Sequence, residues 1–194
     1  HDFGKATPQF QAYIRPNEDQ TYPDEETTHA RLGALATWYV LGELGTPDRD
    51  RLAATLAVAR HHQALPNAAQ YTAEPLARAF EAHDGVIRAQ LEAIDSTWPD
   101  AAAALLAQTP LSEPDWEDFY SWAVSGDVVD ELRALSARVT LEGHTPESSA
   151  LPVKLYDRTL RYWSCITLAD KTHAMDLDEG RVFDLDTLDR ATIE

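Results

Sequence analysis

Apolar residues recur at spacings of three, four and seven along most of this chain, a period that predicts α-helices. Leu32, Leu35, Ala36, Tyr39 and Val40 form one stripe, with Thr28 as its expected cap and Gly45 closing it. Thr46 and Pro47 read as cap and first position of the next helix, which runs through Leu52, Leu56 and Ala59 to His61–His62 and is stopped by Pro66. A single long helix is expected to carry Leu76, Phe80, His83, Ile87, Leu91 and Ile94 on one face. Ser112 with Asp115 resembles a capping box ahead of Trp116, Phe119, Tyr120 and Ala123, and Val128, Leu132, Leu135 and Val139 carry a further stripe. After a Ser-, Thr- and Pro-rich loop over 143–150, a last long helix is predicted over 153–175. The segment 176–194 is acidic and weakly periodic, with Arg181–Val182–Phe183 as a short strand candidate. The pattern predicts an all-α bundle, one domain over 1–175, with the acidic end as a linker or an ordinary terminus. There is no internal repeat and no glycine-rich phosphate loop of the Walker type.

A chain of 194 residues suits one domain, and 44% apolar with 25% charged residues supports a packed core. No apolar run approaches the roughly 20 residues that cross a bilayer, and no basic-then-apolar leader is present. One cysteine, Cys165, cannot form an internal disulfide. A cytoplasmic protein with no membrane partner is expected. Thirty-three acidic residues oppose sixteen basic ones, giving a net charge of −17, and only Lys5, Lys154 and Lys171 are lysines. Taken alone this balance argues against nucleic acid, whose binders neutralise phosphate. A dispersed acidic, lysine-poor surface is also what a halophile needs to keep its proteins hydrated, and on that reading the charge reports habitat rather than partner.

Four groups carry potential chemistry. His1–Asp2 offers a nitrogen and an anionic oxygen suited to a divalent metal, with Gly4 allowing close backbone approach and Lys5 able to face a phosphate. An isolated His-Asp pair is also common by chance. His29 falls in a first helical turn, where a polar residue is usually solvated. His61–His62 end a helix, where they could reach a metal or simply interact with the helix C-terminus. Asp170 continues the stripe of Tyr156, Trp163 and Ile166, and a carboxylate on an apolar face needs a partner or a metal. Lys171 is poorly placed to be that partner. His83 reads as a core histidine, His144 as a loop residue, and His173 as a helix end or an outer neighbour of Asp170.

The order His-Asp, His, His-His, Asp on separate helices resembles the HD superfamily of metal-dependent phosphohydrolases. The local contexts are similar to the HD nuclease domain of the CRISPR-associated helicase-nuclease of type I systems. Three segments carry the likeness: His1-Asp2-Phe3-Gly4-Lys5-Ala6-Thr7-Pro8-Gln9-Phe10-Gln11, His29-Ala30-Arg31-Leu32-Gly33-Ala34, and His61-His62-Gln63-Ala64-Leu65-Pro66. Leu168-Ala169-Asp170-Lys171-Thr172-His173-Ala174 fits less tightly, because the family more often has an aromatic or aliphatic residue after the aspartate. The resemblance implies an HD-domain helical bundle binding one or two divalent metals: manganese, magnesium or another metal of the transition series. His1, Asp2, His29, His61, His62 and Asp170 would be ligands, with Asp2 bridging. The family carries one more histidine on a helix upstream of the His-Asp pair, so that first helix is expected to lie outside this sequence or to have been truncated.

The function so implied is metal-dependent hydrolysis of phosphodiester bonds in single-stranded DNA during type I CRISPR interference, an antiviral defence, with a metal-activated water as nucleophile. Asp2 would be the catalytic bridging ligand, and Lys5, with Arg60 as a further nearby base, would offset phosphate charge. Implied partners are a superfamily 2-type helicase, fused or separate, and the CRISPR RNA-guided surveillance complex. An HD phosphohydrolase acting on nucleotides or cyclic nucleotides would share the same ligands. A helical adaptor with a decayed site is the non-catalytic reading.

Overall fold

A computed structural model describes residues 1–14, 22–65, 72–142 and 151–178, and all helices and contacts below are of these residues. A short 3-10 helix, Asp2–Ala6, leads into α1 (Pro8–Ile14), followed by α2 (Ala30–Glu43), α3 (Asp48–Arg60), α4 (Ala73–Ala82), α5 (Asp84–Thr97), α6 (Pro99–Leu106), α7 (Trp116–Ser125), α8 (Asp127–Glu142) and α9 (Leu151–Asp178). The described residues contain no strand and form an all-α bundle, as the periodicity predicts. The strand candidate Arg181–Val182–Phe183, the loop 143–150 and His144 lie outside the described residues. The last helix continues to Asp178, past the expected end at Met175.

Local chemistry sets the helix ends. Asp48 and Asp50 place negative charge in the first turn of α3, where the exposed amides attract it. Pro47, not Thr46, is the residue before that helix. The capping box is also displaced: Asp115 itself caps α7, its carboxylate accepting from the Glu117 amide at 2.7 Å. Gly126, at φ +85°, turns the chain directly from α7 into α8, a conformation that a side chain would strain.

The expected long helix through His83 is two helices. At His83 the backbone leaves the helical region (φ −118°, ψ 17°), ending α4 and starting α5. The apolar stripe survives because Leu76 and Phe80 from α4, and Ile87, Leu91 and Ile94 from α5, all enter the core. His83 does not. It is half-buried at the corner, its Nδ1 contacting the Ala79 carbonyl at 2.8 Å, which corrects the reading of a core histidine.

One apolar cluster holds the bundle. Leu32, Leu35 and Trp38 of α2 meet the face of α3 that carries Leu52, Ala53 and Leu56, and α9 covers α3 from the other side. Helix α4 packs on α8, bringing Phe80 into the same cluster as Leu132 and Leu135. Each fully buried leucine contributes about 1.5–3 kcal/mol. A second device clamps α2, α3, α7 and α8. The Glu131 carboxylate accepts from Arg51 at 3.0 Å, from the Trp38 indole at 2.7 Å and from the Trp122 indole at 3.3 Å. The Arg51 guanidinium lies 3.8 Å from the centroid of the Trp38 ring. No helix among the described residues is long and apolar enough to cross a membrane.

Candidate metal centre

The 3-10 helix and α1 form a plug that meets α9 through Lys5 and Asp170. Phe3 is buried against Trp116 and Phe119, with ring centroids 6.1 and 5.2 Å away. That anchor fixes its neighbours, Asp2 and Gly4. The Thr7 hydroxyl donates to the Gly4 carbonyl at 3.0 Å and accepts from the Phe10 amide at 3.1 Å, joining the 3-10 helix to α1. The Trp98 indole donates to the Ala6 carbonyl at 2.6 Å, and the Gln11 amide to the Lys5 carbonyl at 2.8 Å.

Two glycines let this plug touch α2. A Cβ on Gly4 would stand 2.1 Å from the His29 carbonyl oxygen, and one on Gly33 would stand 2.2 Å from that of His1. The close approach expected of Gly4 is therefore observed, with a reciprocal partner in Gly33. It places His1–Asp2 beside the start of α2, where His29 sits. Thr28 does not cap that helix; its hydroxyl turns back to the Asp24 carbonyl, and His29 is itself the residue preceding α2. Rather than being solvated, His29 is 6% exposed, covered by the Phe10 ring at 4.7 Å between centroids.

At the end of α3, His61 is buried and His62 is exposed, with its ring beside those of His29 and His61. The Trp163 indole of α9 donates to the Arg60 carbonyl at 3.0 Å, pinning the residue just before this pair. His61 Nδ1 lies 2.6 Å from the Val58 carbonyl, so its proton is there and its Nε2 presents a lone pair. That Nε2 is 3.2 Å from His29 Nε2, which in turn is 3.0 Å from His62 Nε2. One proton on His29 can satisfy one of these neighbours and not both. A divalent cation would satisfy all three, and the donor set suits one: these three imidazoles could hold a metal ion. Burial, then the adjacent His62 and His61, lowers the His29 pKa to about 4, which keeps the ring a neutral imidazole, with one nitrogen able to offer a lone pair, at neutral pH. Burial followed by the charge of His61 lowers that of His62 too.

A second group adjoins the first. His1, Asp2 and Asp170 each bring one donor atom within 4.8 Å of the others. The His1 and His61 rings meet edge to face, 5.8 Å between centroids, so the two groups share a wall. Lys5 sits among the carboxylates, its Nζ 2.8 Å from Asp2 Oδ1 and 2.6 Å from Asp170 Oδ1. Burial opposes charge on both partners of the latter pair. Their mutual hydrogen bond and attraction outweigh it, raising the Lys5 pKa and lowering that of Asp170. The partner that Asp170 demanded is thus Lys5, 165 residues away in sequence.

All six residues expected as ligands, and Lys5, therefore lie in this one region. Arg60 does not join the carboxylates; its guanidinium contacts Gln63 at 3.2 Å on the surface. The side chain of His173 lies outside the described residues. Sequence reasoning missed Gln90 of α5, which is fully buried and donates to the Glu26 and Thr28 carbonyls at 2.7 and 3.1 Å, just ahead of His29. Its one signal is a polar residue set among Ile87, Leu91 and Ile94. Cys165 is exposed on α9.

Comparison with known proteins gives the same placement. The family model described as Cas3, HD domain, matches residues 1–131. Over 194 residues the chain is 59% identical to a CRISPR-associated nuclease/helicase Cas3 from Haloferax volcanii, an alignment covering 100% of this chain and 20% of that protein. The chain thus spans about a fifth of the length of the curated relative it matches. No solved structure matches. An all-α bundle that gathers a His-Asp pair, three further histidines and an aspartate, with a family match over the residues that supply all but the last, belongs to the HD-domain family of Cas3.

Proposed function

We propose that this domain is a metal-dependent nuclease that hydrolyses phosphodiester bonds of single-stranded DNA in type I CRISPR interference. The observation that carries the reading is the convergence of the His29, His61 and His62 Nε2 atoms beside the His1–Asp2–Asp170 group. In this reading His1, Asp2, His29, His61, His62 and Asp170 hold one or two divalent ions. Bound metal of this kind supplies a nucleophilic water at neutral pH and offsets charge on phosphate. The chain's own part is positioning. The Val58 carbonyl fixes the tautomer of His61, and burial keeps His29 a neutral imidazole able to offer a lone pair. Lys5 holds Asp2 and Asp170 in place, and its ammonium offers positive charge to a phosphate oxygen at the same site. No serine or cysteine nucleophile is required.

The similar Haloferax volcanii protein is named as a nuclease/helicase. On that basis we assign this domain a superfamily 2-type helicase as partner, within one longer chain or beside it, and the CRISPR RNA-guided surveillance complex as the source of displaced single-stranded DNA. The net charge of −17 fits a cytoplasm rich in salt, where metal ions rather than basic side chains meet the phosphates. The test is cleavage of end-labelled single-stranded DNA with manganese, set against hydrolysis of nucleotides and cyclic nucleotides under the same salt. DNA cleavage abolished by chelation supports the reading. Turnover of nucleotides with intact DNA replaces it with a small-substrate phosphohydrolase.

A further inference from the structure

Gln90 occupies a place that an apolar residue would fill at less expense. It lies on α5 with its side chain fully buried, between Ile87 and Leu91, and its own Oε1 has no hydrogen-bond partner. A buried amide oxygen left unpaired costs about 1–3 kcal/mol. What the same amide achieves is specific: both bonds from its Nε2 go to main-chain carbonyls of the segment entering α2, Glu26 at 2.7 Å and Thr28 at 3.1 Å. Those carbonyls precede a helix whose first residue has no side-chain cap, because the position before α2 is taken by His29, whose ring is turned toward His61 and His62. The usual Ser, Thr, Asp or Asn that fixes such an entry is absent there, since Thr28 points back to Asp24.

The geometry points to Gln90 as a positioning residue of the metal centre: it clamps the backbone entering α2 from outside and so holds the His29 imidazole in register with His61 and His62. This inference rests on the metal-binding reading above. Groups that orient metal ligands through one intermediary typically govern affinity by 10–100-fold when removed. The Gln90 clamp acts through the backbone of its ligand rather than through its ring. The residue touches neither metal nor substrate.

The experiment measures cobalt(II) affinity and the visible absorption of bound cobalt in the 194-residue protein, in Gln90→Met, in Gln90→Glu and in Val128→Ala. Met keeps the length and volume without donors. Glu keeps the shape with at most one donor. Val128→Ala removes buried volume from α8, which packs on α4 and α7. The expected result is at least tenfold weaker cobalt binding with an altered spectrum in both Gln90→Met and Gln90→Glu, whose carboxylate faces two carbonyl oxygens, and parental affinity and spectrum in Val128→Ala. Parental affinity in Gln90→Met, or an equal loss in Val128→Ala, overturns the inference and leaves the metal centre standing. If Gln90→Met does not fold, Gln90→Glu decides by the same criterion. A parental protein that takes up no cobalt, manganese or zinc overturns the metal reading itself.

Discussion

Lys5 Nζ donates to Asp170 Oδ1 at 2.6 Å, joining the first turn of the protein to its last helix across 165 residues of sequence. The same ammonium lies 2.8 Å from Asp2 Oδ1, so one cation balances two carboxylates of the candidate metal centre. Replacing it with a neutral side chain of similar length leaves those carboxylates facing each other. In Lys5→Met, with metal chelated at fixed ionic strength, the melting temperature should fall by roughly 2–4 °C, the shift expected for about 1 kcal/mol in a chain of this size. Adding manganese should restore more stability to the variant than to the parent, since a metal then supplies the missing charge. Equal manganese increments in thermal scans of the two proteins would show that Lys5 is not performing this role.

Gly4→Ala tests the contact between the plug and α2. The added methyl would meet the His29 carbonyl at 2.1 Å, so backbone must move where two donor groups adjoin. The expected outcome is destabilisation of about 1–3 kcal/mol together with loss of metal uptake. Gly85→Ala is the control: nothing lies within 4 Å of its added Cβ, and it sits inside α5. That change should stabilise by about 0.4–1 kcal/mol. Denaturant midpoints and metal content by elemental analysis read both effects.

Asp2→Ala and His61→Ala should abolish DNA cleavage while circular dichroism keeps its helical signal, because these side chains line the centre rather than the main cluster. His83→Ala should leave both cleavage and the helical signal intact. It loses one ring contact, to the Ala79 carbonyl, from a half-buried site, so a cost below about 1 kcal/mol and full metal content are expected. Metal lost from the His83 variant at unchanged stability would place that histidine in the centre after all.

Glu131→Ala separates structure from chemistry. It strands Arg51 beneath the Trp38 ring and leaves two indole N–H groups without their acceptor. We expect a loss of about 2–4 kcal/mol with a shift in tryptophan emission, and metal affinity equal to the parent's. Glu131→Gln, which keeps an acceptor, should recover part of the loss. Weakened metal binding in a folded Glu131 variant would mean that this cluster and the centre are coupled.

The sequence by itself determined the helices and the chemistry available on them. Apolar spacing records which face of a helix is buried, and it carried α2, α3, α7, α8 and α9 close to their observed bounds. Residue type records donor chemistry, and it marked His1–Asp2 and Asp170 as candidate polar sites; the full set with His29, His61 and His62 rested on the family resemblance. The break at His83 was not legible, because Phe80 and Ile87 reach the core on either side of a corner and keep a continuous period. Nor were α1 and α6: α1 spans only seven residues, too short to repeat a stripe, and α6 is apolar at nearly every position after Asp100, so no polar face sets off a buried one.

Tertiary structure decided the pairings. Lys5 with Asp170, the Phe10 ring over His29, Trp163 on the Arg60 carbonyl and Gln90 on the loop ahead of α2 depend on how elements distant in sequence pack together, which local spacing does not encode. Six potential ligands become one region only when Gly4 and Gly33 let two backbone segments approach to contact. Periodicity is a property of neighbours three and four residues apart. A metal centre is a property of side chains converging in space, and packing alone brings those together.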